Sequence, residues 1–86
     1  MWIDWVWIVE NPIPSIIGIS NNVIFSYSIN GDFLTWVKDK EGINNAIFTE
    51  KFDKMEVLIY GTNKRNIVVW KLPFLEEVFW YQIPRE

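Results

Sequence analysis

The chain has 86 residues, half of them hydrophobic and six of them Trp, with a formal net charge of −3. That length makes one small domain or a piece of a larger one, hiding only about 60–65% of its unfolded surface, and the apolar content excludes disorder. No Cys and no His occur, which excludes disulfides, thiolate catalysis and Cys-based zinc sites and removes the commonest general base and metal ligand; the scattered Lys and Arg make no basic stripe for nucleic acid.

The opening "MWIDWVWIV" carries Asp4 and runs only to Glu10. A signal peptide needs a basic start and a longer apolar run, and a membrane helix needs about 20 residues. The expectation is a cytoplasmic protein, peripheral to membranes at most and without membrane insertion. The stretch reads as a strand over 2–9, with Trp5 and Trp7 on one face and Trp2 on the other by the period of two. "NPIP" (11–14) breaks the run, because Pro12 and Pro14 lack ladder donors. Strands follow at 15–20 and 23–29. Asn30-Gly31 then predicts a type I′ hairpin turn, whose two central residues both need φ > 0. In the strand at 33–38, Phe33, Thr35 and Val37 alternate with Leu34, Trp36 and Lys38. A strand at 43–49 leads into "EKFDK" (50–54), which suits an exposed connection, and strands at 55–61, 66–71 and 76–83 complete the chain. "VLIY" (57–60) and "IVVW" (67–70) are apolar on both faces, as inner strands covered on both sides are. "FLEEVFWY" (74–81) has the length of a short helix, but its β-branched and aromatic end, followed by Ile83-Pro84, favours a strand. No window sustains a helical stripe for three turns.

The second half repeats the first. "IIGISN" (16–21) falls on "LIYGTN" (58–63) at an offset of 42. After two extra residues, Lys64 and Arg65, "NVIF" (22–25) falls on "NIVV" (66–69) at 44, and Trp36 falls on Trp80, also at 44. Four strands per unit at this period match a WD-repeat propeller blade, about 40–45 residues long. "GTNKRNIVVWK" (61–71) resembles the second-strand, turn, third-strand segment of a WD repeat, with Trp70 where the motif's Trp stands. Lys71 replaces the Asp of the WD dipeptide. The resemblance implies a third strand sandwiched between neighbouring blades, its terminal aromatic filling the widening gap. It also implies a buried hydrogen-bond set of His, Ser/Thr, Asp and Trp. Here that set is broken: there is no His, Lys64 stands where the turn Asp is expected, and Thr62 is left to keep a polar role. Stability is then expected to rest on packing more than on that network.

"YSINGDFL" (27–34), "INNAIFTE" (43–50) and "MEVLIYGTNKRNIVVWKLPFLEEVF" (55–79) are similar to late blades of the C-terminal propeller in BEACH-domain proteins, the neurobeachin-like group. The likeness covers about residues 15–80. It implies large cytosolic scaffolds of vesicle and lysosome traffic whose propellers make protein–protein contacts, and hence that this chain is a fragment, a truncated gene product or a subunit remnant. Only the structural Trp70 and the Asn30-Gly31 turn carry over.

The expectation is therefore an all-β chain of two four-stranded antiparallel WD-like blades, 1–41 and 42–86, acting as a non-enzymatic interaction scaffold. Trp70, Thr62, Asn30, Gly31, Trp36 and Trp80 are its structural residues; no cofactor, metal or nucleic acid is expected. At least about three repeats are normally needed to cover one another, so the isolated chain should expose apolar sheet faces and self-associate. The partners expected are other blades or other proteins. The rival is a small Trp-rich β-sandwich or barrel that binds carbohydrate, with Trp5 and Trp7 as a stacking platform; core or interface packing is the commoner use of such aromatics. Glu76-Glu77 point to opposite faces of a strand and make no acid/base pair. Asp4, Asp32, Asp39 and Asp53 read as isolated turn or edge residues. Lys51 to Lys54 and Lys64-Arg65 read as solubilising surface, short of the four to eight cations of a membrane-binding segment. "GTNKRN" lacks the second Gly and the Lys-Ser/Thr of a P-loop.

Overall fold

Alternating β-branched and aromatic residues, punctuated by Asn, Gly and Pro, produce eight strands and no helix among the described residues. The computed structural model describes residues 3–52 and 54–84, with the side chains of 45, 46, 48 and 52 outside that description. The expectations for Trp2 and Asp53 lie outside it too. In chain order the strands are β1 (Trp5–Val9), β2 (Ser15–Ser20), β3 (Val23–Ser28), β4 (Phe33–Lys38), β5 (Ile43–Phe52), β6 (Met55–Thr62), β7 (Asn66–Lys71) and β8 (Glu76–Gln82). They form two four-stranded antiparallel sheets, β1-β2-β3-β4 and β5-β6-β7-β8. Within each sheet every strand pairs with its neighbour in sequence, so loop closure costs little. No helix among the described residues is long and apolar enough to cross a membrane.

Two expectations about connections need correction. "EKFDK" is not a free loop: β5 continues through Glu50↔Val57 and Lys51↔Glu56 to Phe52↔Met55, because the ladder against β6 persists and Lys54 takes a φ of 65° at the reversal. The type I′ turn lies elsewhere. Asn21 and Asn22, at φ 51° and 64°, form the two-residue turn between Ser20 and Val23, the conformation that favours Asn. At Asn30-Gly31 only Gly31 has positive φ (93°). Gly31 N donates to Ser28 O and Ser28 N donates to Asp32 O, which makes a three-residue loop with a left-handed Gly at its end. The Ser28 hydroxyl accepts from Asp32 N at 3.1 Å, a local side-chain bond that favours the wider turn.

The core lies between the sheets. Val9, Ile17, Ile19 and Ile24 of the first sheet pack with Leu58, Tyr60 and Val68 of the second, and Leu72 and Leu75 of the β7–β8 turn join them. Backbone-to-side-chain bonds tie the layers together: Glu10 N donates to Glu56 Oε2 at 3.0 Å, and Ile43 N donates to Asn22 Oδ1 at 3.0 Å.

The sheets match in detail as well as in order. Each has one register shift between its third and fourth strands, at Ser26/Tyr27 in the first and at Val69/Trp70 in the second. A bulge is a specific local feature, so its recurrence 43 residues later aligns β3 with β7 at an offset of 43. This corrects the offset of 44: the β6–β7 turn, with Arg65 N donating to Thr62 O, is one residue longer than Asn21-Asn22, not two. Trp36 and Trp80 keep the offset of 44, pairing across their sheets with Phe25 and Val68. The left-handed residues Gly31 and Leu75, which close the two β3–β4-type loops, are also 44 apart.

Candidate interaction surfaces and the polar clamp beneath them

The strand period of two gives each sheet a covered and an uncovered face. In the first sheet Ile17, Ile19 and Ile24 point to the core, while Val6, Ile8, Ile16, Phe25, Tyr27 and Trp36 point away. Ile8 is 60% exposed and Trp36 57% exposed, values far from those of a core. Phe25 lies across Gly18, where a methyl group would overlap its ring. Phe25, Tyr27 and Phe33 continue edge-to-face, at centroid separations of 6.0 and 5.5 Å. In the second sheet Leu58, Tyr60 and Val68 face the core, and Ile59, Ile67, Val69, Phe79 and Tyr81 face away. Phe79 and Tyr81 stack at 5.9 Å. Beside them runs an apolar groove of about 320 Å³, floored by Val57, Ile59 and Val69 and edged by Met55 and Val78.

"VLIY" and "IVVW" are therefore apolar on both faces but unequally covered: on the core side Leu58, Tyr60 and Val68 are buried and Trp70 half-buried, whereas on the other side Val57 is buried and Ile59, Ile67 and Val69 are half-buried. Trp36 and Trp80 are both exposed on the edge strands β4 and β8. Trp70 is half-buried and packs against the core. Asn30 and Gly31 sit exposed in the β3–β4 loop.

Beneath the apolar faces, polar side chains clamp the β4–β5 linker onto the second sheet. Trp70 Nε1 donates to the Tyr60 hydroxyl at 2.9 Å, and that hydroxyl donates to Asp39 Oδ2 at 2.7 Å. One turn away, the Thr62 hydroxyl and Asn66 Nδ2 both donate to Glu41 Oε1 at 2.7 Å. Thr62 Oγ also accepts from the backbone N–H of Lys64 and of Asn66, at 3.2 Å each. Burial pushes the Tyr60 phenol well above its ordinary value; the Trp70 donor opposes this and Asp39 adds to it. The bonds from Thr62 and then Asn66 hold the Glu41 carboxyl below its ordinary value, against a smaller desolvation effect and with help from Lys64. Such a network of short, shared bonds holds the β4–β5 linker rigidly against the second sheet.

Sequence reasoning singled out Trp70 and Thr62 but missed their partners Tyr60, Asp39, Glu41 and Asn66. It read Asp39 as an isolated carboxylate. The available signal was the face Glu56, Leu58, Tyr60, Thr62, three polar-bearing residues at core positions of one strand, each of which needs a partner when buried. Glu56, 8% exposed, finds its partner in the Glu10 amide.

Elsewhere, Trp5 and Trp7 stack at 6.2 Å with planes 13° apart. Trp5 packs on the core and Trp7 is 45% exposed. A concavity of about 660 Å³ gathers Lys51, Lys54 and Lys71 around Glu56 and Asn11. Among the described residues, no group of three or more Asp or Glu is placed to hold a metal ion. No family model, curated protein or solved structure matches this chain.

Proposed function

We propose that the chain is a pair of propeller-type blades that works as a non-enzymatic interaction scaffold, its partners docking on the sheet faces. The observation that carries this reading is the two uncovered aromatic and aliphatic faces, one on each of two sheets with the same strand order and the same bulge. Exposed apolar patches of this extent mark interaction sites in soluble proteins. The Trp70–Tyr60–Asp39 chain supports the blade reading, since a third-strand Trp is tied through a second-strand hydroxyl to the linker that enters the sheet. A setting in cytoplasmic membrane traffic is part of the proposal, supported by the likeness of "YSINGDFL", "INNAIFTE" and residues 55–79 to BEACH-domain propellers. That setting rests on those residues alone.

A carbohydrate-binding reading has one observation in its favour, the parallel Trp5–Trp7 rings. Trp5 is committed to the core, so the platform reduces to one face of Trp7. Two titrations followed by fluorescence separate the readings. The scaffold predicts saturable binding of an apolar dye, weakened by Trp36→Lys or Phe79→Lys and unaffected by Trp7→Lys. It also predicts no response to sugars. A saturable, Trp7-dependent shift with a saccharide, or no dye binding at either face, overturns it.

A further inference from the structure

We propose that this chain self-associates head to tail, the uncovered face of the first sheet in one copy stacking on the uncovered face of the second sheet in the next. The proposal rests on the scaffold reading above and names its partner as a second copy of the same chain.

The argument comes from which faces already meet. Register and the shared bulge make Ile17 correspond to Ile59, Ile24 to Ile67, Ile16 to Leu58 and Phe25 to Val68. Ile17 and Ile24 lie on the first sheet's covered face, yet Ile59 and Ile67 lie on the second sheet's uncovered face. Leu58 and Val68 lie on the second sheet's covered face, yet Ile16 and Phe25 lie on the first sheet's uncovered face. The sheets are thus stacked front to back. A two-fold sandwich would have brought corresponding faces together.

Each chain therefore contains one complete front-to-back interface and one spare half of each kind. The spare front presents Ile59 and Ile67 where the used front presents Ile17 and Ile24. The spare back presents Ile16 where the used back presents Leu58. Bulk is conserved even where side chains differ. The cross-strand pair Gly18–Phe25 corresponds to Tyr60–Val68, and the Phe25 ring lies over Gly18 in the space that the Tyr60 ring occupies in its own sheet. A heterologous contact of this kind propagates, closing into a ring or extending as a filament according to the rotation per sheet.

The test uses the full chain and two variants in sedimentation velocity with light scattering. Ile8→Lys/Trp36→Lys blocks the back and Phe79→Lys/Tyr81→Lys blocks the front, all at positions 47–60% exposed in the single chain. The unmodified chain should form concentration-dependent oligomers. Each variant alone should run as a 10.3 kDa monomer, its self-affinity reduced about a hundredfold or more by unpaired charge in a buried contact. An equimolar mixture should give a dimer and stop there, because the dimer's two remaining faces are the blocked ones. A monomeric unmodified chain, a variant that still dimerises alone, or a mixture that stays monomeric overturns the proposal. Far-UV circular dichroism and a cooperative melt check the fold of each variant; should the lysines unfold the chain, Ile8→Thr/Trp36→Thr and Phe79→Thr/Tyr81→Thr keep strand preference and carry the same expectations. Dye binding to a chain that does not associate would leave the scaffold reading standing and refute only the partner named here.

Discussion

Replacing Tyr60 by Phe removes a single oxygen from the junction between the β4–β5 linker and the second sheet. That oxygen donates to Asp39 at 2.7 Å and accepts from Trp70 Nε1 at 2.9 Å, and the Tyr60 side chain is 1% exposed. A hydrogen bond to a charged group contributes roughly 1.5–3 kcal/mol net and a neutral one roughly 0.5–1.5. Asp39 and Trp70 are half-exposed, so water recovers part of both bonds and the low end of each range applies. The sum is about 2 kcal/mol, equivalent to a melting temperature lower by about 10 °C for a domain of this size. Urea and thermal unfolding, followed by tryptophan fluorescence and circular dichroism, measure the effect. The comparison belongs in the Ile8→Lys/Trp36→Lys background at one protein concentration, because association adds to apparent stability. Tyr27→Phe, at an exposed ring, is the control and should change stability by less than about 0.5 kcal/mol. A cycle with Asp39→Asn should show coupling of about 1 kcal/mol, as expected for directly bonded groups. If Tyr60→Phe matches the Tyr27 control, the linker is not clamped through this hydroxyl and the energetic reading of the network is wrong.

Other outcomes follow from the same structure. The Ser26 hydroxyl is fully buried without a partner, so Ser26→Ala should raise stability by about 1 kcal/mol in urea titrations; a loss would mean that the hydroxyl is satisfied. Arg65 holds a φ of 67° in the β6–β7 turn; Arg65→Gly should stabilise by about 0.5–1 kcal/mol by relieving left-handed strain, whereas Gly31→Ala, at φ 93°, should destabilise by about 1 kcal/mol or more. Because folding lowers the Glu41 pKa from 4.5, its contribution is present above that value and is lost as pH falls through the lower folded value; Glu41→Gln should flatten the acid limb of a stability–pH profile. Tyr60 has the opposite sign. Its folded pKa is raised above 10.0, so stability should fall as pH rises beyond 10.0 and the unfolded phenol ionises, and Tyr60→Phe should remove that alkaline slope.

Strand formation was legible locally. Runs such as "VIFSYS" and "NIVVWK" combine β-branched and aromatic residues with polar punctuation, and their pattern is set by backbone sterics that act within a few residues. The eight strands lie where those runs lie. Turn types were less legible. Asn-Gly carries the stronger statistical signal, but the Ser28–Asp32 bonds widened that loop, and the two-residue turn fell to Asn21-Asn22. The end of β5 is not legible either: "EKFDK" is polar by composition, yet Glu50 and Lys51 extend the β5 ladder because β6 offers partners opposite them.

The amino-acid sequence by itself determined that the chain is all-β, which runs form its eight strands, and that the second half repeats the first, because strand period is a local property written residue by residue. Only the tertiary structure decided that Asp39 and Glu41, in a linker of no apparent pattern, become the acceptors for Tyr60, Thr62 and Asn66. It alone decided which side of each sheet is covered. Period-two alternation separates two faces but cannot rank them when both are apolar, as in "VLIY" and "IVVW". The stacking of one sheet on the other supplied the asymmetry, burying Leu58, Tyr60 and Val68 and leaving Ile59, Ile67 and Phe79 to face outward.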